Sequence, residues 1–126
     1  MAKNGNTMTS ETKFDLEERT SSFSKEIIHL SRKAPKDIVT IPIISQLVRS
    51  ATSVGANYCE ANNAESRKDF LHKIGICKKE AKETKYWLEL LGESSTETRA
   101  EAKRLWQEAK ELNLIFSAIS SRTANK

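Results

Sequence analysis

The stretch Phe70-Leu71-His72-Lys73-Ile74-Gly75-Ile76-Cys77-Lys78-Lys79-Glu80-Ala81-Lys82-Glu83-Thr84-Lys85-Tyr86-Trp87-Leu88-Glu89-Leu90-Leu91 decides the fold. Within it Phe70, Ile74, Cys77, Ala81, Thr84, Leu88 and Leu91 recur at alternating spacings of four and three. Side chains at those spacings line one face of an α-helix, and a face sustained over three heptads is the seam of a helical bundle. Ser66, with Asp69 three residues on, resembles a capping box in which Asp stands for the usual Glu. Gly92 is the expected stop.

The same spacing continues on both sides. Ala102, Leu105, Ala109, Leu112, Phe116 and Ile119 predict a fourth helix, starting at either Ser94/Glu97 or Thr98/Glu101. Ile44, Leu47, Val48, Ala51, Gly55 and Tyr58 predict a second helix, capped by Thr40, with Pro42 in the first turn, ending near Glu65. A first helix is expected from Asp15, its stripe Leu16, Phe23, Ile27, Leu30 and Ala34, stopped by Pro35. Ile38 and Val39 in the connection are expected to tuck against the bundle. Short connections imply antiparallel neighbours. The expected fold is all-α, an antiparallel up-down four-helix bundle over residues 14–121, with a disordered polar tail at 1–13 and another tail at 122–126.

Composition narrows the classes. The 126 residues suffice for one core, and four glycines and two prolines suit long helices better than a turn-rich β fold. No apolar run approaches the roughly 18 residues of a membrane span. The polar start, Met1 to Lys13, has no hydrophobic export segment, so the cytoplasm is the expected location. Cys59 and Cys77 are read as buried small hydrophobes. They would stand at different distances from the bend near Ser66, so no disulfide is expected.

The second helix is unusual. Between Ile43 and Ala64 only Arg49 and Glu60 are charged, where the chain's 30% charged content would give about six or seven. A bundle helix ordinarily shows a charged outer face. This one shows Gln46, Arg49, Ser50, Ser53, Ala56, Asn57 and Glu60. Two interpretations stay open: cover by a neighbouring subunit, which the small residues would let approach closely, or a modestly polar free surface. Beside the third helix's seam lie Ile76, Glu80, Glu83 and Trp87. Glu80 and Glu83 are placed to pair with Arg49.

Lys68, Lys78, Lys79, Lys82 and Lys85 share one side of the third helix, with Tyr86 among them. Such a stripe suits salt-dependent, sequence-tolerant phosphate contact. It also suits a plain solvated face: Glu89 interrupts it, and no recognition-helix motif or aromatic platform accompanies it. The net charge of +4 permits an anionic partner without demanding one. Glu26-x-x-His29 and Asp69-x-x-His72 superficially match the pairs of di-iron bundles. At about 100° per residue, however, His72 points nearly opposite its core stripe and His29 about 120° away from its own, so no metal site is expected. No nucleophile motif or Gly-rich phosphate loop occurs, so neither catalysis nor a cofactor is expected.

The run Arg49-Ser50-Ala51-Thr52-Ser53-Val54-Gly55-Ala56-Asn57-Tyr58-Cys59-Glu60-Ala61 resembles the Arg-x-Ala-x-Ser…Asn-x-x-Glu-Ala signature of bacterial four helix bundle proteins. These include proteins encoded in intervening sequences of large-subunit ribosomal RNA genes. Asp69-Phe70, Lys79-Glu80-Ala81-Lys82-Glu83-Thr84 and Tyr86-Trp87-Leu88 match as well, and the resemblance spans roughly residues 14–119. It implies a closed bundle assembled into a ring, commonly a pentamer. It also implies kinship with retroelement accessory proteins that bind nucleic acid and a reverse transcriptase, and it implies no enzymatic activity. Ser50 and Thr52 stand where relatives often carry other residues, including a second Arg. This departure weighs against direct nucleic-acid contact through the second helix.

The expected function is therefore that of a non-enzymatic, homo-oligomeric, nucleic-acid-associated accessory protein. The helix-three lysines would meet RNA or DNA. Arg49, Ser53, Asn57, Glu60, Glu80, Glu83 and Trp87 would organise the subunit core or interface. The alternative is a self-assembling or protein-binding scaffold with no nucleic-acid role.

Overall fold

The computed structural model describes residues 10–124, with side chains from 15 to 122. Four helices account for it: α1 (Ser10–Lys33), α2 (Thr40–Asn62), α3 (Arg67–Ser94) and α4 (Arg99–Ala124). No strand occurs among the described residues, and no helix among them is long and apolar enough to cross a membrane. Packing is most extensive between α3 and α4 and between α2 and α3, intermediate between α1 and α2, and thinnest between α1 and α4.

The heptad residues form the core. Every member of the α1 and α4 stripes is buried, and every member of the α3 stripe except Phe70, which packs on the core's edge. Tyr58 of α2 is fully buried and meets Phe116 of α4, ring centroids 5.9 Å apart. Burial pushes the Tyr58 hydroxyl up to about 12. Cys77 is also buried. Its thiol, pushed up to about 12 by burial, points at the Val54 carbonyl at 3.5 Å. Cys59 is exposed, contrary to expectation, because it lies one position beyond the buried Tyr58 and turns off the core face. Both thiols are free.

Several boundaries differ from the sequence expectation. Helix α1 is already formed at Ser10, so residues 10–13 are helical where a polar tail was expected, and Asp15 lies inside the helix rather than at its cap. The expected tail at 1–9 falls outside the described residues. Thr40 is buried inside α2. Its hydroxyl turns back, accepting the Asp37 N–H at 2.9 Å and donating to the Pro35 carbonyl at 2.6 Å. Asp37 does the capping instead: its carboxylate accepts the N–H groups of Val39 at 2.8 Å and Thr40 at 2.9 Å. Those two backbone bonds hold the Asp37 carboxyl below its usual range. Ile38 and Val39 do not tuck in, and Ile38 is 89% exposed.

Helix α2 ends at Asn62 rather than near Glu65, closed by i→i+3 bonds from Asn63 and Ala64. Ser66 caps α3 as expected, accepting the Asp69 N–H at 3.0 Å. Gly92 does not end α3. It is buried one turn's reach from α4, where an added Cβ would sit 3.6 Å from that of Ala102, so its smallness serves close helix approach. Helix α4 follows Thr98, which excludes the Ser94 start. No reciprocal box forms: the Thr98 hydroxyl donates to the Ser95 carbonyl, and Glu101 pairs with Lys33 at 2.9 Å.

Ion pairs bridge the thin α1–α4 seam. Arg19 holds Glu108 through two bonds of 2.7 and 2.9 Å and Glu111 at 2.8 Å, and Glu26 meets Arg104 at 2.7 Å. Numbers rise along α1 as they fall along α4.

Phe116→Ala should lower the unfolding free energy in urea by about 3–5 kcal/mol, while Ile38→Ala should change it by less than about 0.5 kcal/mol. Acidification supplies a second check. The depressed Asp37 carboxyl stabilises the fold above its ordinary value of 3.8, and this contribution is lost as pH falls through its lower folded value. Thermal melts of Asp37→Ala should therefore depend less steeply on pH than wild type between about pH 5 and pH 2.

Candidate functional site

Two surfaces carry the residues singled out in the sequence. The first is the α2–α3 shoulder. Arg49 leaves α2 and reaches two carboxylates of α3, Glu80 at 3.4 Å and Glu83 more closely. The Gln46 side-chain oxygen accepts the Arg49 Nε at 3.0 Å, and Glu83 also accepts the Trp87 indole N–H at 2.9 Å. The Trp87 bond and then the Arg49 guanidinium hold the Glu83 carboxyl below its usual range. The same carboxylate holds the Arg49 guanidinium above its own. Glu80 is buried, with 7% exposed, and Trp87 is half-buried against Tyr86, ring centroids 4.9 Å apart.

Four of the seven residues expected to act together are thus one cluster: Arg49, Glu80, Glu83 and Trp87. The others stand apart. Asn57 donates to the carbonyl and hydroxyl oxygens of Ser53, both at 2.9 Å, a bond pair internal to α2. Glu60 turns to Lys73 of α3 at 2.5 Å. Ser50 was expected on the outer face but is fully buried, its hydroxyl accepting that of Thr84 at 3.0 Å. It sits three residues after Leu47 and four before Val54, which puts it on the side pressed against α3.

Magnitude limits what this cluster does in one chain. The Arg49 side chain is 46% exposed, and pairs so open to water contribute about 0–1 kcal/mol. Covered by another surface, the same pair would become costly to break, roughly 3–5 kcal/mol.

The second surface is basic. Lys68, Lys78, Lys79 and Lys82 are exposed and Lys85 is half-buried, all on α3. Lys78 to Lys85 are consecutive along the face, while Lys68 lies about 15 Å further along at 1.5 Å per residue. None of the ion pairs found among the described residues uses Lys78, Lys79, Lys82 or Lys85. Helix α4 continues the surface. Its Asn113 donates to the Lys78 carbonyl at 2.7 Å, and its Trp106 ring lies under Lys85, 5.3 Å from centroid to Nζ. Lys110 approaches the same ring at 5.8 Å. The α4 flank facing α1 is the reverse, with Glu101, Glu108 and Glu111 tied to cations there.

Trp106 is the residue sequence reasoning did not connect with the lysines. Lys103-x-x-Trp106-x-x-x-Lys110 is a basic-aromatic face at helical spacing, and it was the available signal. The suspected metal pairs are not assembled: Glu26 is engaged by Arg104, and His29 and His72 are exposed. Among the described residues no group of three His, Cys, Asp or Glu side chains is placed to hold a metal ion.

Comparison with known proteins supplies the family. The family described as 23S rRNA-intervening sequence protein matches residues 12–118. A solved structure from Bacteroides thetaiotaomicron VPI-5482, described as a protein of unknown function from the S23 ribosomal protein family, is similar at a TM-score of 0.77. It shares 34% sequence identity, over 86% of this chain and 97% of that one. No curated protein matches the chain. A match across nearly all of the helical residues, joined by a shared four-helix architecture, shows that the chain belongs to the 23S rRNA-intervening sequence protein family.

Proposed function

We propose that the protein is a non-enzymatic accessory protein that associates with nucleic acid as a homo-oligomer. The observation that carries this is the run of lysines on α3, Lys78, Lys79, Lys82 and Lys85, none held in an ion pair among the described residues. Ordinary solvated helix faces alternate signs, as the α1–α4 seam does here. A face whose lysines are left out of ion pairs, with Glu89 as its interruption, suits phosphate. In the proposed arrangement the helices form an antiparallel up-down bundle, supported by the opposed numbering of the α1–α4 ion pairs. Copies of the bundle pack through α2 into a ring, a pentamer by family resemblance, in the cytoplasm. A ring multiplies the lysine field. The half-open Arg49 cluster would gain its energy from a neighbouring copy.

Titration of labelled structured RNA and duplex DNA at two salt concentrations tests the nucleic-acid role. Binding should fall steeply with salt. The triple variant Lys78→Gln, Lys82→Gln, Lys85→Gln should bind more weakly, its log–log salt slope shallower by about 2–3. Unchanged binding would remove the lysine assignment, and no binding at the lower salt would remove the role.

A scaffold without nucleic acid is the second possibility. Ile38, Val39 and Ile41, all exposed at the start of the nearly uncharged α2, favour it. Under that alternative α2 is the only working surface. In either case Arg49→Ala should lower the mass measured by light scattering, and the lysine variant should leave it unchanged. An unaltered mass for Arg49→Ala would take the Arg49 cluster out of the interface.

A further inference from the structure

Two cations converge on one aromatic ring at the α3–α4 seam. Lys85 Nζ lies 5.3 Å and Lys110 Nζ 5.8 Å from the Trp106 ring centroid, one lysine from each helix. Each cation lies within the range over which the ring quadrupole attracts it. The ring itself is half-buried at the rim of the core.

Trp106 also forms a wall of an open groove of about 370 Å³. Leu88, Gly92 and Ala102 give this groove an apolar floor, kept low by the missing side chain at Gly92. Its rim is mixed, Glu89 and Glu93 from α3 against Arg99 and Lys103 from α4. Arg99 is anchored there, its Nε donating to the Gly92 carbonyl at 2.9 Å. A flat, apolar-faced ring fits such a groove, and a phosphate attached to it would meet Lys85 and Lys110. Away from the two rim glutamates, α3 carries Lys82, Lys79 and Lys78, all exposed.

We propose that Trp106 is a stacking platform for an unpaired base of single-stranded nucleic acid, with Lys85 and Lys110 holding the adjoining phosphates and the strand running toward Lys78. Glu89 and Glu93 repel phosphate and so give the strand a direction along the seam. A duplex keeps its bases within its own stack and offers Trp106 none, whereas single strands bind through base–aromatic stacking beside a cationic track. The proposal rests on the nucleic-acid association inferred above, and it adds the strandedness, the site and the residue.

The test uses full-length protein carrying 5-fluorotryptophan. The chain has two tryptophans, and the resonance lost in Trp106→Phe identifies Trp106. The probes are a single-stranded oligothymidylate, an abasic strand of equal length and charge, and a duplex. Oligothymidylate should shift the Trp106 signal, and the abasic strand should bind more weakly and leave that signal in place. Trp106→Leu should weaken oligothymidylate binding about tenfold with the salt slope retained, and Trp106→Phe should restore most of it. If Trp106→Leu loses helical content by circular dichroism, the contrast between thymidylate and abasic strands on the wild-type chain decides alone. Salt-dependent binding that is equal for the thymidylate and abasic strands, with Trp106 unmoved, would overturn the stacking site and leave the nucleic-acid role standing. Binding to none of the three probes would overturn the stacking site, and if structured RNA also fails to bind at the lower salt, the nucleic-acid role falls with it.

Discussion

Burial of the α3 seam is the constraint on which the rest depends. Ile74, Cys77, Ala81, Thr84, Leu88 and Leu91 are all enclosed, and α3 packs extensively on α2 at one side and α4 at the other. With that face committed inward, every other position on α3 is fixed by the helical repeat. Glu80, Glu83 and Trp87 fall on the flank toward α2, and Lys78 and Lys85 fall toward α4. One heptad pattern thus separates the flank of Glu80, Glu83 and Trp87 from that of Lys78 and Lys85 on a single helix.

The two flanks differ in how they meet charge. On the α2 side, charges are matched within the chain, Arg49 against two carboxylates and Lys73 against Glu60. On the α4 side, Lys85 and Lys110 approach an aromatic ring instead. Surface ion pairs contribute little to folding, so neither arrangement is needed to hold the helices together. Their use lies outward, in setting what each face accepts. The buried Ser50–Thr84 hydrogen bond contributes indirectly, because it fixes the register of α2 against α3 and so sets Arg49 opposite Glu80 and Glu83.

The helices and the core stripes of α1, α3 and α4 were legible in the sequence because heptad spacing reports directly on burial, whereas on α2 Ile44, Val48 and Gly55 are only half-buried and Val54 is enclosed as well. What the spacing did not report was local. Thr40 and Asp37 are both good caps, and only the path of the connection decides which carboxylate or hydroxyl reaches the free N–H groups. Gly92 read as a stop, since a glycine after a heptad run usually is one. Here its value is the approach of Ala102, which depends on α4. Ser50 looked like part of an outer strip because its smallness and polarity hid a buried hydrogen bond. At the candidate sites, the pairing of Arg49 with Glu80 and Glu83 was legible from charge and helix phase. The meeting of Lys85 with Trp106 was not, because it depends on how far α4 slides along α3. Connection length does not fix that offset.

The uneven packing of α1 sets an order of events within the molecule. The backbones of α2, α3 and α4 approach one another most extensively, while α1 stands further from α4, its buried Phe23, Ile27 and Leu30 flanked by ion pairs that water and salt screen. Elements with lower local contact density open locally at lower free energy than the whole protein unfolds. Amide hydrogens of α1 would then exchange with solvent ahead of those at the centre of α3, and each opening would briefly uncover Phe23, Ile27 and Leu30. That order would make α2, α3 and α4 one cooperative unit with α1 clasped to it. The lysine surface lies wholly on the part that stays closed.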